Sequence, residues 1–371
     1  MDVKRFLWPV MALALLVLRC SDNTVTNSPE PQVNWEDLSL SVDVSKWHDD
    51  HTAAVSITYD GRWNSDPLVM DAADEALKRN IPISFEMVTS YFTDYPELIL
   101  EMQEELLPRG ITFYGHGHLH DDFDSKSFEY SLESFTTCFN YMKAWGLNPK
   151  AYAYPHGKGF ESTTKLANRL AGFICARGLT FLSNPNYICP DDENEPIDWF
   201  YLPCISVAQE YVGYINDHAG MSGVLRTNLE KTAWIIIMYH SIGFPDDWGY
   251  YPFDEYLSDL DEIAANDFWC APMGTIASYV KERSGFEYHA KEIETTDGQA
   301  VYEVMFIDRL DNAIYDLPLT LDITFSGDIT VSRVQFEPPI NGTSHVEVQD
   351  NSLRLHAAPD ETKYHMTLFT E

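Results

Sequence analysis

The protein has 371 residues, of which 45% are hydrophobic, so the chain is long enough for two domains with a substantial core. Its formal net charge of −34 argues against nucleic acid and anionic membrane surfaces as partners, because like charges repel. The acidic residues are spread along the chain and do not form a tail, which favours a soluble acidic surface.

The first 20 residues resemble a targeting segment. Basic residues precede an apolar run from Phe6 to Leu18, which has the length of a signal sequence and is too short for a membrane span. Cys20 follows directly, and residues 21–50 are expected to be a polar tether, as in a bacterial lipoprotein. We therefore expect a lipid anchor on Cys20 and a location in the cell envelope, with ordinary secretion as the alternative.

Strand and helix patterns alternate from residue 51 to residue 285. The predicted strands are 53–59, 81–87, 111–115, 151–155, 173–177, 199–207, 234–240 and 267–272. The predicted helices are 69–79, 97–109, 127–146, 165–172, 254–265 and 274–283. An acidic, proline-containing interruption at 178–198 is expected to be a surface loop. Repeated βα units predict an α/β fold with a mostly parallel sheet closed into a barrel.

The pattern changes after residue 285. Short runs of alternating apolar and polar residues, separated by turn sequences, fill residues 286–371. This pattern predicts a small all-β sandwich. The segment carries no cluster of catalytic residue types, so we expect an appendage that packs against the barrel or contacts carbohydrate.

Polar residues with catalytic potential follow four of the predicted barrel strands. They are Asp60, His116, His120, Pro155, His156 and His240. The carboxyl ends of parallel strands meet at one edge of the sheet, so we expect these residues to converge. A single histidine at a strand end is more often a structural residue than a ligand, so the order of the whole set carries the prediction.

This ordered set resembles the polysaccharide deacetylase family, the NodB-homology domain of carbohydrate esterase family 4, over about residues 53–284. SITYD is similar to the family's first motif, and the resemblance implies that Asp60 is the general base. GHGHLH is similar to the second motif, which implies that His116 and His120 bind a divalent metal, with zinc as the expected ion.

Two further motifs complete the resemblance. AYPHG is similar to the third motif, a turn at Pro155 and His156 whose backbone N–H would stabilise an oxyanion. IIIMYHSI is similar to the last motif, which implies that His240 is the general acid. The pair Asp198 and Trp199 echoes the fourth motif.

The sequence departs from the family pattern at two positions. Gly61 stands where the family places a metal-binding aspartate, and Ala153 stands where the third motif often has an arginine that pairs with the base. Without an evident cation, the pKa of Asp60 is expected to be less depressed than in the family. The third ligand is then Asp60 itself or a nearby carboxylate, or the metal is weakly bound; the nearby carboxylates are Asp66, Asp121 and Asp122.

The resemblance implies a metal-dependent hydrolase that removes N- or O-acetyl groups from an acetylated polysaccharide outside the cytoplasm. One alternative is a catalytically impaired glycan-binding surface lipoprotein. The other is a different metal hydrolase, such as a phosphoesterase. Cys189 and Cys204 either form a disulfide or remain buried thiols. Four aromatic residues beside the motifs either stack on sugar rings or pack at the rim: Trp63, Trp248, Tyr250 and Tyr251.

Overall fold

The structure is a computed structural model that describes residues 35–179, 187–209, 211–296 and 298–370. The predicted signal segment and lipid anchor at residues 1–20 lie outside the described residues, as do residues 21–34 of the predicted tether. None of the helices within the described ranges has the length and apolar character needed to cross a membrane.

Strands and helices alternate along the first part of the chain, as the apolar periodicities predict. The first strands in chain order are β1 (Ser39–Val44), β2 (Ala53–Tyr59), β3 (Ile83–Met87), β4 (Thr112–Gly115), β5 (Ala151–Ala153), β6 (Cys175–Arg177), β7 (Ile205–Ser206), β8 (Trp234–Tyr239), β9 (Ser241–Ile242), β10 (Tyr250–Tyr251) and β11 (Phe268–Cys270). The helices are α1 (Val69–Lys78), α2 (Thr89–Thr93), α3 (Pro96–Glu101), α4 (Phe128–Ala144), α5 (Ser162–Ala171), α6 (His218–Lys231), α7 (Phe253–Ala265) and α8 (Met273–Gly285).

The larger sheet is parallel and curves back on itself. Its strand order is β6-β5-β4-β3-β2-β8-β7, and β11 pairs with β2. The chain leading into β7 also bonds to the opposite end of this order: Leu202 N–H donates to Ala176 O at 2.8 Å, and Gly178 N–H donates to Leu202 O at 3.0 Å. The two ends of the sheet are therefore linked, which confirms the predicted α/β barrel class.

Both faces of the barrel strands are buried, which explains their long apolar runs. In β8, Ile235 and Ile237 belong to the core cluster beneath the outer helices, whereas Trp234 and Ile236 belong to a second cluster into which α8 also packs. Because successive side chains point to opposite faces, a polar residue in such a strand is buried whichever way it points.

Helix α6 was not among the predicted elements. It contains Gly220, Gly223 and Thr227, which are poor helix formers and dilute the apolar period. The helix is fixed at its start by Asp217, whose side chain accepts a hydrogen bond from Gly220 N–H at 2.8 Å.

The C-terminal part forms the predicted sandwich. Its strands are β12 (Glu287–Thr296), β13 (Gln299–Ile307), β14 (Leu319–Ser326), β15 (Val331–Ile340), β16 (Thr343–Glu347), β17 (Ser352–Ala357) and β18 (Asp360–Thr370). One sheet has the order β12-β13-β18-β15-β16, and the other has the order β1-β14-β17. Buried residues of both sheets, such as Leu321 and Met366, form one core cluster.

Strand β1 comes from the segment predicted as a polar tether. Ser39–Val44 pairs antiparallel with β14, from Ser39 opposite Ser326 to Val44 opposite Leu321. Only the apolar residues of β1 face the core. Such alternation in a short segment does not predict a strand when the pairing with β14 is unknown. The sandwich therefore contains a segment that precedes the barrel in the sequence and segments that follow it.

Helix α8 connects the barrel and the sandwich. Ile276 belongs to the barrel cluster, whereas Tyr279 is buried in the sandwich cluster and donates a hydrogen bond to Ser45 O at 2.8 Å. Cys189 and Cys204 are not joined by a disulfide; Cys204 is buried and Cys189 is half-buried.

Candidate active site

The residues predicted from strand ends meet at the carboxyl edge of the barrel. Tyr59 of β2 lies opposite Tyr239 of β8, so Asp60 and His240 follow directly at neighbouring positions. The Asp60 N–H donates to Tyr239 O at 2.9 Å, which continues the pairing by one residue. His116 follows β4, and its N–H donates to the carbonyl of the last β3 residue at 2.8 Å. Parallel pairing thus places the three side chains on one edge.

Asp60, His116 and His120 form a group that is suited to a metal ion. One ligand atom from each residue lies within 4.8 Å of the others. The Nε2 of His116 lies 3.3 Å from Asp60 Oδ1, and the two imidazole rings are 4.9 Å apart. We call this set the barrel group.

The tautomer of His116 supports this assignment. Its Nδ1 lies 2.9 Å from Ala153 O, and a carbonyl only accepts, so Nδ1 carries the proton. The Nε2 lone pair then faces Asp60, and within the described chain this buried atom has no hydrogen-bond partner. A histidine that donates one ring N–H to a carbonyl and presents the other nitrogen is the usual arrangement of a metal ligand. The residues therefore fit a divalent ion such as zinc.

Behind the barrel group lies a buried ion pair between Arg177 and Glu86. Arg177 Nη2 donates to both Glu86 oxygens, at 2.5 and 2.6 Å, and to Asp60 Oδ2 at 3.2 Å. Glu86 also accepts from Thr58 Oγ1 at 2.7 Å and lies 3.2 Å from His116 Nδ1. The pair therefore holds both Asp60 and His116 from behind.

The expectation that Asp60 lacks a cation is wrong. Ala153 of β5 pairs in register with Arg177 of β6. The guanidinium that contacts Asp60 therefore comes from the strand next to the one that carries Ala153. Sequence reasoning missed Arg177 and Glu86 because each was assigned only to an apolar strand. Each of these two residues is a single charge within a buried strand, and such a charge needs an opposite charge nearby. This requirement was the signal that could have identified the pair.

Electrostatics favour a charged carboxylate and neutral imidazoles. Burial alone raises the pKa of Asp60, but the protonated form of His116 and the Arg177 guanidinium outweigh it and hold that pKa well below its usual range. Burial lowers the pKa of His116, and burial together with His116 lowers the pKa of His120 to about 4. Burial raises the pKa of Glu86 to about 7, against the opposing effect of Arg177.

The other candidate third ligands have different partners. Asp66 is buried and accepts from Leu68 N–H at 2.9 Å and from Ser241 Oγ at 3.2 Å. Asp121 contacts Lys126 at 3.0 Å, and Asp122 caps a short helical turn. Asp198 pairs with Lys165 at 2.6 Å and does not join the barrel group.

Gly61 lies in a turn with little space for a side chain. A Cβ on this residue would lie 2.8 Å from Cε1 of the buried Tyr59 ring. The turn therefore has no room for a side chain at Gly61 without movement of that ring. Asp60, the preceding residue, supplies the carboxylate of the barrel group.

The predicted turn at Pro155 and His156 borders the same site. Pro155–Gly157 forms a short helical turn, in which His156 has φ 55° and an exposed side chain. The His156 ring lies 4.5 Å from the His120 ring, edge to face. The turn is thus placed where a backbone donor is expected, and its oxyanion role stays a prediction.

An aromatic cluster flanks His240. Its Nδ1 is buried without a hydrogen-bond partner in the described ranges, and its ring lies edge-on to Trp248 at 4.7 Å. Trp248 and Tyr211 are each 40% exposed and contact one another at 5.8 Å. Trp63, in contrast, is 2% exposed and stacks on Phe92, so it is a core residue and does not stack on sugar.

An α/β barrel with a carboxylate and imidazoles at its carboxyl edge is the arrangement that the deacetylase motifs predict. Solved structures that are similar to this chain include a polysaccharide deacetylase and a family 4 carbohydrate esterase. A protein from Mycobacterium smegmatis described as a polysaccharide deacetylase is 18% identical, with a TM-score of 0.45 over 65% of this chain and 94% of its own. A family 4 carbohydrate esterase from Streptomyces lividans is 13% identical, with a TM-score of 0.40 over 60% and 93%.

Two enzymes with other descriptions are also similar to this chain. A Puue allantoinase is 12% identical, with a TM-score of 0.43 over 67% of this chain and 96% of its own. Among curated proteins, a gellan lyase from a Bacillus species is 21% identical in an alignment over 362 residues that covers 88% of this chain and 13% of that protein. The chain thus spans a small part of that relative. No protein-family model matches the sequence.

Proposed function

We propose that the protein is a metal-dependent polysaccharide deacetylase that hydrolyses N- or O-acetyl groups of a glycan. The observation that carries this proposal is the convergence of Asp60, His116 and His120, with a buried Nε2 of His116 that lacks a hydrogen-bond partner among the described residues. Acetyl hydrolysis needs an activated water and a stabilised oxyanion, and this edge of the barrel gathers the residue types for both.

The barrel group would hold the ion, with Asp60 as its third ligand. When bound, a divalent ion would polarise the acetyl carbonyl and lower the pKa of the attacking water. In this proposal Asp60 is a ligand in place of a general base, because its Oδ1 lies 3.3 Å from His116 Nε2 while Arg177 bonds its Oδ2. The bond from Arg177 fixes the carboxylate orientation.

His240 is then the group placed for proton transfer. It lies beside Asp60 in the sheet register, and its half-buried imidazole can accept a proton from the attacking water and deliver it to the leaving group. The turn at Pro155 and His156 would supply a backbone N–H to the oxyanion, a donor worth about 2.7–4 kcal/mol where it has been removed. Trp248 and Tyr211 offer exposed rings for a sugar face.

We further propose that the reaction takes place outside the cytoplasm. The support is the sequence of residues 1–20, with Cys20 as the lipid attachment site and secretion as the alternative. Labelling with a radioactive fatty acid in a bacterial host, compared between the parent and Cys20→Ala, tests the anchor. Label that is retained in Cys20→Ala contradicts it.

Acetate release tests the activity. The protein is stripped with a chelator, reloaded with Zn²⁺, Co²⁺ or Ni²⁺, and incubated with N-acetylglucosamine oligomers, peptidoglycan fragments, O-acetylated xylan and gellan. We expect ion-dependent acetate release that His116→Ala abolishes. The matched control is His118→Ala, because this histidine in the same loop contacts Thr89 and stacks on Tyr141.

The alternatives give different results in this assay. Glycan binding without acetate release by the metal-loaded protein would favour the catalytically impaired surface protein. Phosphate release from a phosphate ester, without acetate release, would favour the phosphoesterase. Metal content of Asp60→Asn separates the two roles of Asp60, since loss of a ligand lowers metal affinity, whereas loss of a base leaves it intact.

A further inference from the structure

A second group of one aspartate and two histidines lies where the turn before β2 meets the sandwich. It consists of His48, Asp49 and His356, and one ligand atom from each lies within 4.8 Å of the others. Asp49 Oδ2 lies 3.2 Å from His48 Nδ1, and Asp49 Oδ1 lies 2.6 Å from His356 Nε2. We call this set the junction group.

The fold holds these side chains together. The two imidazoles stack at 4.8 Å with an angle of 11° between their planes, and Trp269 stacks on the other side of His48 at 5.6 Å. Thr320 of β14 lies opposite His356 of β17, and its Oγ1 accepts from the Asp49 N–H at 2.8 Å. Adjacent positions on two strands therefore fix the backbone and the side chain of Asp49.

One contact in the junction group brings a ring nitrogen and a carboxylate oxygen close together. The Nε2 of His356 is buried and has no hydrogen-bond partner in the part of the chain that is described, although Asp49 Oδ1 is 2.6 Å away. A carboxylate oxygen and an imidazole nitrogen at this distance form an ion pair when the ring is protonated, and both atoms can bind a metal ion when the ring is neutral. The surroundings are acidic as well, since Asp50 and Asp322 share a single arginine, Arg354.

We infer that His48, Asp49 and His356 bind a divalent transition-metal ion such as Zn²⁺, which joins the turn before β2 to the sandwich strand β17. Imidazole and carboxylate are ligands of such ions, at about 2.0–2.2 Å from the metal. The ligand atoms are already close enough that small rotations of the side chains complete the set. A cavity of about 650 Å³ bordered by His356 and Arg354 gives the ion and a coordinating water access from solvent.

The position of the junction group indicates a structural role for this ion. The turn lies between β1, which belongs to the sandwich, and β2, which belongs to the barrel. An ion held by both the turn and β17 would cross-link the two parts of the molecule, and it would stabilise the folded state by binding it in preference to the unfolded chain.

Zinc stoichiometry tests the inference. The metal-stripped protein is titrated with Zn²⁺ alone against a chromophoric chelator, and bound metal is counted after gel filtration. We expect two equivalents for the parent protein, and loss of one equivalent in His356→Ala, in Asp49→Asn and in His116→Ala. Asp49→Asn serves as the second junction variant because asparagine tolerates the left-handed φ of 54° at this position.

The matched control is His365→Ala, an exposed histidine on the sandwich strand β18, which should keep both equivalents. In the His116→Ala background the Zn²⁺-induced rise in melting temperature should persist, and addition of His356→Ala should abolish it. One equivalent in the parent that His116→Ala removes would overturn the inference, as would two equivalents in both folded junction variants.

Discussion

The barrel group and the junction group each contain one aspartate and two histidines, but their surroundings differ. In the barrel group the His116 side chain is 3% exposed and the Asp60 side chain is 18% exposed. In the junction group the side chains of His48, Asp49 and His356 are 29%, 53% and 36% exposed. The two groups lie beyond opposite ends of β2, a seven-residue strand that spans about 23 Å.

The difference shows which surroundings favour catalysis. The barrel group has Arg177 and Glu86 behind it and the proton-transfer candidate His240 beside it. The junction group has solvent on one side and a stacked Trp269 on the other. Ligand types alone therefore do not define an active site; buried support and a neighbouring acid–base residue do.

The largest expected effect is on the rate of acetate release, which depends on the surroundings of the barrel group alone. His240→Ala should lower kcat for acetate release about 10²–10⁴-fold, because it removes a general acid or base that is not a ligand. Zinc binding at both groups should remain. Steady-state kinetics and metal counting measure the two effects, with His365→Ala as the control. If His240→Ala loses as much metal as His116→Ala, then His240 is a ligand.

The second prediction compares Arg177, which lies behind the barrel group, with Arg354, which lies beside the junction group. Arg177→Met should lower the free energy of unfolding by about 3–5 kcal/mol, because the buried Glu86 and the partly buried Asp60 would both lose their cation. Arg354→Met beside the junction group should cost about 1 kcal/mol or less, because Arg354 is 44% exposed. Urea unfolding of both variants measures the difference. Equal costs would show that Arg177 contributes no more than a surface pair.

The third prediction tests whether the barrel group is already complete. Gly61→Asp should leave zinc affinity unchanged and lower the free energy of unfolding by about 1–3 kcal/mol, because its Cβ would meet Tyr59 at 2.8 Å. Competition titration and urea unfolding give the two numbers. Tighter zinc binding by a folded Gly61→Asp protein would mean that the third ligand position is vacant and that Asp60 is not the ligand.

The smallest expected effect concerns Glu282 of α8, the helix between the two parts that carry these groups. Burial raises its pKa to about 7, Asp308 adds to the rise, and Lys150 opposes it. Its folded-state pKa is therefore raised, so its contribution to stability is present below the unfolded-state pKa and is lost as the pH rises through about 7.

Glu282→Gln should consequently unfold at a higher temperature than the parent at pH 8, by an amount corresponding to about 1 kcal/mol, and show no advantage at pH 5. Glutamine can still accept the bond from Leu317 N–H, at 3.0 Å in the parent, without burying a charge. Calorimetry at the two pH values measures this. A stabilisation that is the same at both would rule out ionisation of Glu282 as its cause.

The sequence was sufficient for the parts of the site that follow strand ends. Asp60, His116 and His240 each follow an apolar strand, and parallel strands bring their carboxyl ends to one edge without further information. The barrel and the sandwich were likewise predictable from the change in apolar periodicity near residue 285.

The parts of the sites that the sequence did not predict depend on pairings between segments that are distant in the chain. Arg177 and Glu86 are brought together only by the tertiary fold, because β5 and β4 lie between β6 and β3 in the sheet order. The junction group depends on His356, which lies near the opposite end of the chain from His48. Local patterns record periodicity, and they carry no information about which distant strands meet.

The pairing of β1 with β14 has a consequence for synthesis of the chain. β1 leaves the ribosome before any residue of the barrel, yet its partner is made only after the barrel strands are complete. During that interval its N–H and C=O groups have no strand to bond, a state that favours mispairing between nascent chains. The outward residues Ser39, Ser41 and Asp43 are polar, so β1 stays hydrated until the C-terminal strands have been synthesised.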